Sequence, residues 1–226
     1  MDIYTDASLN DVHKIAGIGM VFVPNRNQSK GVIRLNTHVW ADKVETAELF
    51  AIAIALGKLH PQNTDDVRII TDSDRALKEI LNIFQYAMPD RIKHVKDLVQ
   101  QKILYHISAC FAKMKNVKFS FQLIRGHQTK AQPLSDGYYN MLADEEARLG
   151  REEGEETRVK EIRLGNSPAS FFTSEENMIL NQKEAPLFFP SISFSFKSGK
   201  ALGNKNPDTK LLEEKGFSRR KPRSGR

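Results

Sequence analysis

Asp2-Ile3-Tyr4-Thr5-Asp6-Ala7-Ser8, near the start of the chain, decides its fold: it reads as a short strand that delivers one carboxylate, Asp6, to its end. Three further carboxylates stand in settings that need an explanation. Glu48 interrupts the apolar run Ala47-Glu48-Leu49-Phe50-Ala51-Ile52-Ala53-Ile54, Asp72 ends the strand-like Val67-Arg68-Ile69-Ile70-Thr71-Asp72-Ser73, and Asp144 lies in Asn140-Met141-Leu142-Ala143-Asp144-Glu145-Glu146-Ala147. The expectation is a fold that brings these four together around metal ions.

Working outward, Ala16 to Val23 is a second apolar run, and Gly31 to Trp40 alternates as a third. Together with the opening stretch they make a three-strand meander. Val44 to Leu59 is too long for a strand, is rich in Ala and Leu, and stops at His60-Pro61, so it is a helix buried on most sides. Val67 to Thr71 is a fourth strand. Ser73 or Asp74 caps a helix to about Phe84, and one long helix is expected from Arg91 to about Lys115, with Cys110 as plain core. Val117 to Ile124 is the fifth strand, Arg125 to Asp136 a loop, and Tyr138 to Leu149 a last helix ended by Gly150. The fold class is α/β, a mixed sheet flanked by helices.

Beyond Gly150 the composition shifts to Ser, Asn, Gly, Lys and Pro, broken by Leu187-Phe188-Phe189 and the alternating Ser191 to Phe196. Residues 1–150 therefore read as one domain, and 151–226 as a low-complexity, basic and largely disordered tail holding short interaction segments. The chain has 226 residues, 40% of them hydrophobic, which suits one domain of about 150 residues plus extra material. The single cysteine excludes an internal disulfide framework and a multi-cysteine zinc site. The longest apolar run, Leu49 to Leu56, is far short of the roughly 18 residues of a membrane span, and no signal-type stretch opens the sequence, so a soluble, cytoplasmic protein is expected.

The net charge of +6 belongs to residues 200–226, which hold nine Lys/Arg and three Asp/Glu. A second basic zone runs from Arg91 to Lys118, with Lys93, Lys96, Lys102, Lys113 and Lys115 against Asp97 alone. Two such zones on a balanced chain point to a polyanionic partner. Taken singly, the carboxylates have ordinary explanations: Asp6 as a turn residue, Asp72 as a helix cap, Asp144 as part of a solvated face. Glu48 has none so cheap, because a carboxylate on an apolar helix needs a partner or a metal to stay ionised.

Jointly, Thr5-Asp6-Ala7-Ser8, Ala47-Glu48-Leu49 with Ala51 and Ala55-Leu56, Thr71-Asp72-Ser73, Arg125-Gly126-His127, and Asn140 before Ala143-Asp144 resemble ribonuclease H of type 1 over residues 1 to about 150. The resemblance implies a ribonuclease H-like five-stranded sheet whose first three strands are antiparallel. It implies a metal-dependent endonuclease that cuts the RNA strand of RNA:DNA hybrids. Its site would be Asp6, Glu48, Asp72 and Asp144 holding two Mg2+, or Mn2+ in their place, with His127 acting at the leaving-group or product-release end. Oxygen ligands without sulfur suit magnesium, and imidazole titrates near neutrality, as a proton shuttle must.

The sequence departs from the family where Asn usually precedes the helix Glu and Gln follows the strand Asp-Ser: Val44, Glu45 and Asp74 stand there, and Trp40 is the sole tryptophan. The alternative function is therefore nucleic-acid binding, or DNA-directed cleavage, on the same fold without hybrid specificity. A proofreading-type exonuclease is disfavoured because Ala7 and Ser8, not a second acid, follow Asp6. Gln182 to Phe189 resembles a sliding-clamp binding motif, with Ala185 smaller than the usual aliphatic. Arg219, Arg220, Lys221 and Arg223 are expected to neutralise phosphates.

Overall fold

The computed structural model describes residues 1–24, 31–60, 66–84, 90–126, 131–163, 172–182 and 192–196. Strands β1 (Asp2–Asn10), β2 (Ile15–Val23) and β3 (Ile33–Trp40) form the expected antiparallel meander. The Asn10 side-chain oxygen accepts from the backbone N–H of Val12 and of His13, which closes the β1–β2 turn. Strands β4 (Asp66–Thr71) and β5 (Lys118–Leu123) add on the other side of β1, parallel to it and to each other.

The sheet has six strands rather than five. Strand β6 (Ile192–Phe196) lies parallel to β5 and completes the order β3-β2-β1-β4-β5-β6. Its alternation of serine with Ile192, Phe194 and Phe196 is the period of a strand. Such a run has no local sign that it will join a sheet 70 residues earlier in the chain, which is why the sequence suggested a tail segment.

Residues on alternate positions separate two cores. Ile3, Ala16, Ile18, Met20, Phe22, Val67, Ile69, Phe119 and Phe121 face helix α1 (Val44–Gly57) and its neighbours α2 (Asp74–Phe84) and α4 (Leu98–Lys113). Tyr4, Val21, Val23 and Ile70 face helix α5 (Asp136–Arg163) through Tyr139 and Ala143. The sheet is thus covered on both faces, and α1 and α5 both lie against β1.

The long helix expected from Arg91 to Lys115 is two: α3 (Asp90–His94) and α4. Asp97 makes the break, since its side chain accepts from the N–H groups of Val99 and Gln100 at 3.0 and 3.3 Å and so starts a new helix.

The last helix also departs from expectation, for it runs unbroken through Gly150 and Gly154. A Cβ on Gly150 would sit 2.2 Å from the Thr37 carbonyl oxygen, and one on Gly154 2.7 Å from His38 Cγ. From the sheet side, a Cβ on Gly17 or Gly19 would come 1.8 Å from the Ala147 or 1.9 Å from the Ala143 carbonyl oxygen. Helix and sheet meet backbone to backbone here, and this contact offsets the roughly 1 kcal/mol that each helical glycine costs. The helix starts over β4 and β5, crosses β1 and β2, and ends over β3, where Arg158 stacks on Trp40 at 4.5 Å.

Beyond α5, α6 (Ser174–Leu180) packs on α4 with Ile179 fully buried. Thr173 caps it by accepting from the Glu176 N–H, and Glu176 Oε1 accepts from the Trp40 N–H at 2.8 Å. The stretch expected as a low-complexity tail therefore contains at least one docked helix and one sheet strand.

Candidate active site

The β1–β4 ladder ends at Tyr4–Ile70, while β1 continues beside β2 alone. Asp6 lies just beyond that last pair, and Asp72 follows the end of β4. Both carboxylates thus stand at the carboxyl ends of neighbouring parallel strands, the crevice where α/β sheets carry their sites. Glu48 reaches the same place from the second turn of α1. One oxygen from each of Asp6, Glu48 and Asp72 lies within 4.8 Å of the other two.

Asp6 and Glu48 are buried and Asp72 is half-buried. Asp6 Oδ1 accepts from the Ala7 N–H at 2.8 Å. Burial, then the charges of Asp72 and Asp144, push the Asp6 carboxyl up to about 8, against the opposing pull of that N–H. Burial and the charges of Asp6 and Asp72 hold Glu48 well above the usual carboxylate range. Its Oε2 is buried with no hydrogen-bond partner among the described residues. A compact, oxygen-only set with crowded charge and an orphaned buried oxygen fits a hard divalent cation, which would relieve the repulsion and take up that oxygen.

The four predicted carboxylates do not meet as equals. Asp144 is exposed on α5 and lies outside the trio, although its charge is felt at Asp6. It is brought near because Ala143 abuts Gly19, and Gly19 is the register partner of Asp6. One turn before it, Asn140 is buried, with Oδ1 unpartnered among the described residues. His127 lies outside the described residues, as do residues 183–189 of the clamp-like segment and the basic stretch 200–226. Its neighbour Gly126 is described: a Cβ there would come 2.0 Å from Asp72 Oδ2, so the backbone closes directly over that carboxylate.

Cys110 is core, as expected: burial pushes its thiol up to about 11, and its Sγ lies 3.4 Å from His106 Nε2. The basic zone from Arg91 to Lys118 is not one surface. Lys93 and Lys96 are exposed near the start of α4, where Lys43 from the α1 end approaches Asp97 at 3.8 Å. Lys113 ends that helix and Lys115 and Lys118 follow it, about 24 Å away, and Lys118 is the register partner of Asp66, at the end of β4 opposite Asp72.

Sequence reasoning missed a polar network beneath the carboxylates. Arg68 binds both oxygens of Asp2 and donates to Gln122 Oε1 at 3.0 Å, while Asp136 accepts from Tyr4 Oη at 2.7 Å and from Gln122 Nε2 at 3.2 Å. The available signal was Arg68 itself, a cation in the apolar strand Val67-Arg68-Ile69-Ile70, which needs an acid on the same face.

A family model described as RNase H matches residues 1–152. Among solved structures, RNase H1 from the halophilic archaeon Halobacterium salinarum NRC-1 aligns at 15% identity, covering 67% of this chain and 97% of that one with a TM-score of 0.45. No curated protein matches the chain. Among the described residues no helix is long and apolar enough to cross a membrane. With one family model spanning well over half of its length and carrying Asp6, Glu48, Asp72 and Asp144 within that span, the chain belongs to the ribonuclease H family.

Proposed function

We propose that this ribonuclease H is a cytoplasmic, metal-dependent endonuclease that hydrolyses the RNA strand of RNA:DNA hybrids, with Asp6, Glu48, Asp72 and Asp144 holding two divalent ions. The observation that carries the reading is the trio Asp6–Glu48–Asp72, within 4.8 Å and largely buried, in a member of this family. When bound, Mg2+, or Mn2+ in its place, supplies Lewis acidity to the water, the phosphate and the leaving oxygen.

The chain's own groups divide the remaining work. Asp6 and Glu48 form the buried wall of the site and are fixed by a strand and a helix interior. Asp72 is held against Gly126, and Asp144, which is exposed, would complete the site from the solvent side. His127 would move a proton at the leaving-group end, a task suited to imidazole near neutral pH.

Hybrid preference would rest on contacts to 2′-hydroxyls. Two positions where this sequence departs from the family carry paired charges: Glu45 binds Arg75, and Asp74 lies 2.6 Å from Lys78. Phosphate contacts fall to Lys93 and Lys96 on the body and to the cations of residues 200–226. Docking to a sliding clamp through Gln182 to Phe189 would have to release Gln182, whose carbonyl accepts from Lys102 Nζ at 2.6 Å.

The deciding experiment incubates the full chain with labelled RNA:DNA hybrid, duplex DNA and single-stranded DNA, with and without Mg2+. Cleavage confined to the RNA strand and dependent on Mg2+ is expected. Equal cleavage of DNA would remove hybrid specificity, and no cleavage of any substrate with Mg2+ present would remove the nuclease reading.

A further inference from the structure

We propose that Tyr4 and Asp136 are positioning residues for Asp144: their hydrogen bond anchors the start of α5 to the sheet, so that the carboxylate two turns later bears on Asp6. The proposal rests on the metal-site reading given above, and it assigns a task to a network that no ligand role accounts for.

The local chemistry turns the Asp136 side chain toward the sheet. Ser135 already caps α5, since its Oγ accepts from the Tyr138 N–H at 3.2 Å, so the Asp136 carboxylate is not needed at the helix end and turns to the sheet instead. There it meets three adjacent strands. Its Oδ1 accepts from Tyr4 of β1 at 2.7 Å and lies 3.8 Å from Arg68 Nη2 of β4, and its Oδ2 accepts from Gln122 of β5 at 3.2 Å. Arg68 in turn holds Asp2, so two carboxylates share one guanidinium on a half-buried face. Charged, geometrically fixed bonds of this kind resist sliding more than apolar contacts do.

The spacing links the anchor to the site. Tyr4 and Asp6 share a face of β1, two residues or about 6.6 Å apart. Asp136 and Asp144 are eight residues apart on α5, about 12 Å along the axis. Between them Ala143 rests on Gly19, which permits close approach but has no side chain to fix the helix against sliding. The packing at the glycines sets the distance between α5 and the sheet, and the Asp136 anchor sets the position of the helix along its own axis. Asp144 is exposed and makes no hydrogen bond or ion pair among the described residues, so its place depends on where the helix stops.

The test measures Mg2+ binding directly, by calorimetric titration of the full-length protein without substrate, beside thermal melts of the metal-free protein. Tyr4→Phe removes only the hydroxyl, and Asp136→Asn keeps the volume; each is made alone and together with Asp144→Asn. Weaker Mg2+ binding by at least about threefold is expected for Tyr4→Phe, short of the roughly 10–100-fold lost with a direct outer-shell partner. That loss should vanish in the Asp144→Asn background. A lower melting temperature with unchanged Mg2+ binding overturns the proposal and makes the network purely structural. So does an equal loss of binding with and without Asp144. If the wild-type protein binds no Mg2+, it is the metal-site reading that fails first, and the variants then differ only in their melts.

Discussion

Gly126 lies so close over Asp72 that a Cβ atom on it would come 2.0 Å from the Asp72 Oδ2. The contact joins the loop after β5 to the residue after β4, and it accounts for the glycine at position 126. Gly126→Ala must displace the Asp72 carboxylate, because only that side chain can yield. Cleavage should fall by about a hundredfold, roughly 2.7 kcal/mol of barrier, while the melting temperature of the metal-free protein changes little. An alanine variant with wild-type Mg2+ binding would show that Asp72 moves without consequence.

Asp72→Asn tests the carboxylate itself. The Asp6 carboxyl is raised to about 8 from 3.8, first by burial and then by the Asp72 charge. A folded-state value above the unfolded one means that the stability contributed by the protonated group is full below about 3.8 and is lost as pH rises through about 8. Removing the Asp72 charge eases the ionisation of Asp6, so the metal-free variant should melt at or above the wild-type temperature, with the gap widening toward pH 8. Its cleavage of hybrid at millimolar Mg2+ should be abolished. Activity within about tenfold of wild type, 1.4 kcal/mol of barrier, would leave Asp72 as a helix cap, and neighbouring Ser73 already serves there with its Oγ 3.4 Å from the Ala76 N–H.

The trio was legible jointly rather than singly: Glu48 alone interrupts an apolar run at a cost, while Asp6 and Asp72 stand out only through the ordered set of motifs that resembles ribonuclease H. The contact that seats Asp72 was not legible, since a glycine in a loop carries no mark of what it touches. Gly150 and Gly154 show the same ambiguity more sharply. Glycine both ends helices and lets helices approach sheets, and only the facing Thr37 and His38 distinguish the two uses. Asp97 and Thr173-Ser174-Glu175-Glu176 did carry local capping signals, for α4 and α6 respectively. The pairing of β6 with β5 did not, because partner choice between strands far apart in sequence is settled by the tertiary fold.

Glu176 makes the docking of α6 sensitive to pH. Burial pushes its carboxyl up to about 7 from 4.5, although its Oε1 accepts from the Trp40 N–H. Its contribution to stability is therefore full below about 4.5 and lost as pH rises through about 7. Glu176→Gln keeps an acceptor for the Trp40 N–H and cannot ionise. Melting curves of the two proteins should nearly coincide at pH 5, and the glutamine variant should melt higher at pH 8. A constant difference across that range would mean that Glu176 ionises in the fold without cost.

The glycine notch predicts the largest structural effect. At Gly17 and Gly19 a Cβ would meet backbone carbonyl oxygens of α5 rather than side-chain tips, so the helix itself has to shift. Gly19→Ala should destabilise the fold by about 1–3 kcal/mol, the range of overpacking. It should also weaken Mg2+ binding, because Ala143 and Asp144 move with the helix. A variant that melts lower but binds Mg2+ normally would mean that α5 tilts about its start instead of lifting.

Where the catalytic unit ends is the last test. Residues 1–150 contain Asp6, Glu48, Asp72 and Asp144, the Tyr4–Asp136 anchor and the Gly17 and Gly19 contacts, so we propose that this fragment keeps the site and cleaves hybrid. It loses the half of α5 that carries Arg158 over Trp40 and Glu155 to Asn10, and it loses α6 with the buried Ile179. Burial of one isoleucine is worth about 1.5–3 kcal/mol and the Arg158–Trp40 stack about 0.5–1 kcal/mol. The fragment should therefore melt about 5–15 °C below the full chain, while a fragment ending at residue 196 should match it. The same two fragments separate folding from substrate capture: removing 200–226 should flatten the salt dependence of hybrid binding and leave single-turnover cleavage at saturation near normal. An unfolded 1–150 fragment beside a stable 1–196 fragment would move the boundary of the domain past α6, and an unchanged salt slope would take the basic end of the chain out of substrate binding.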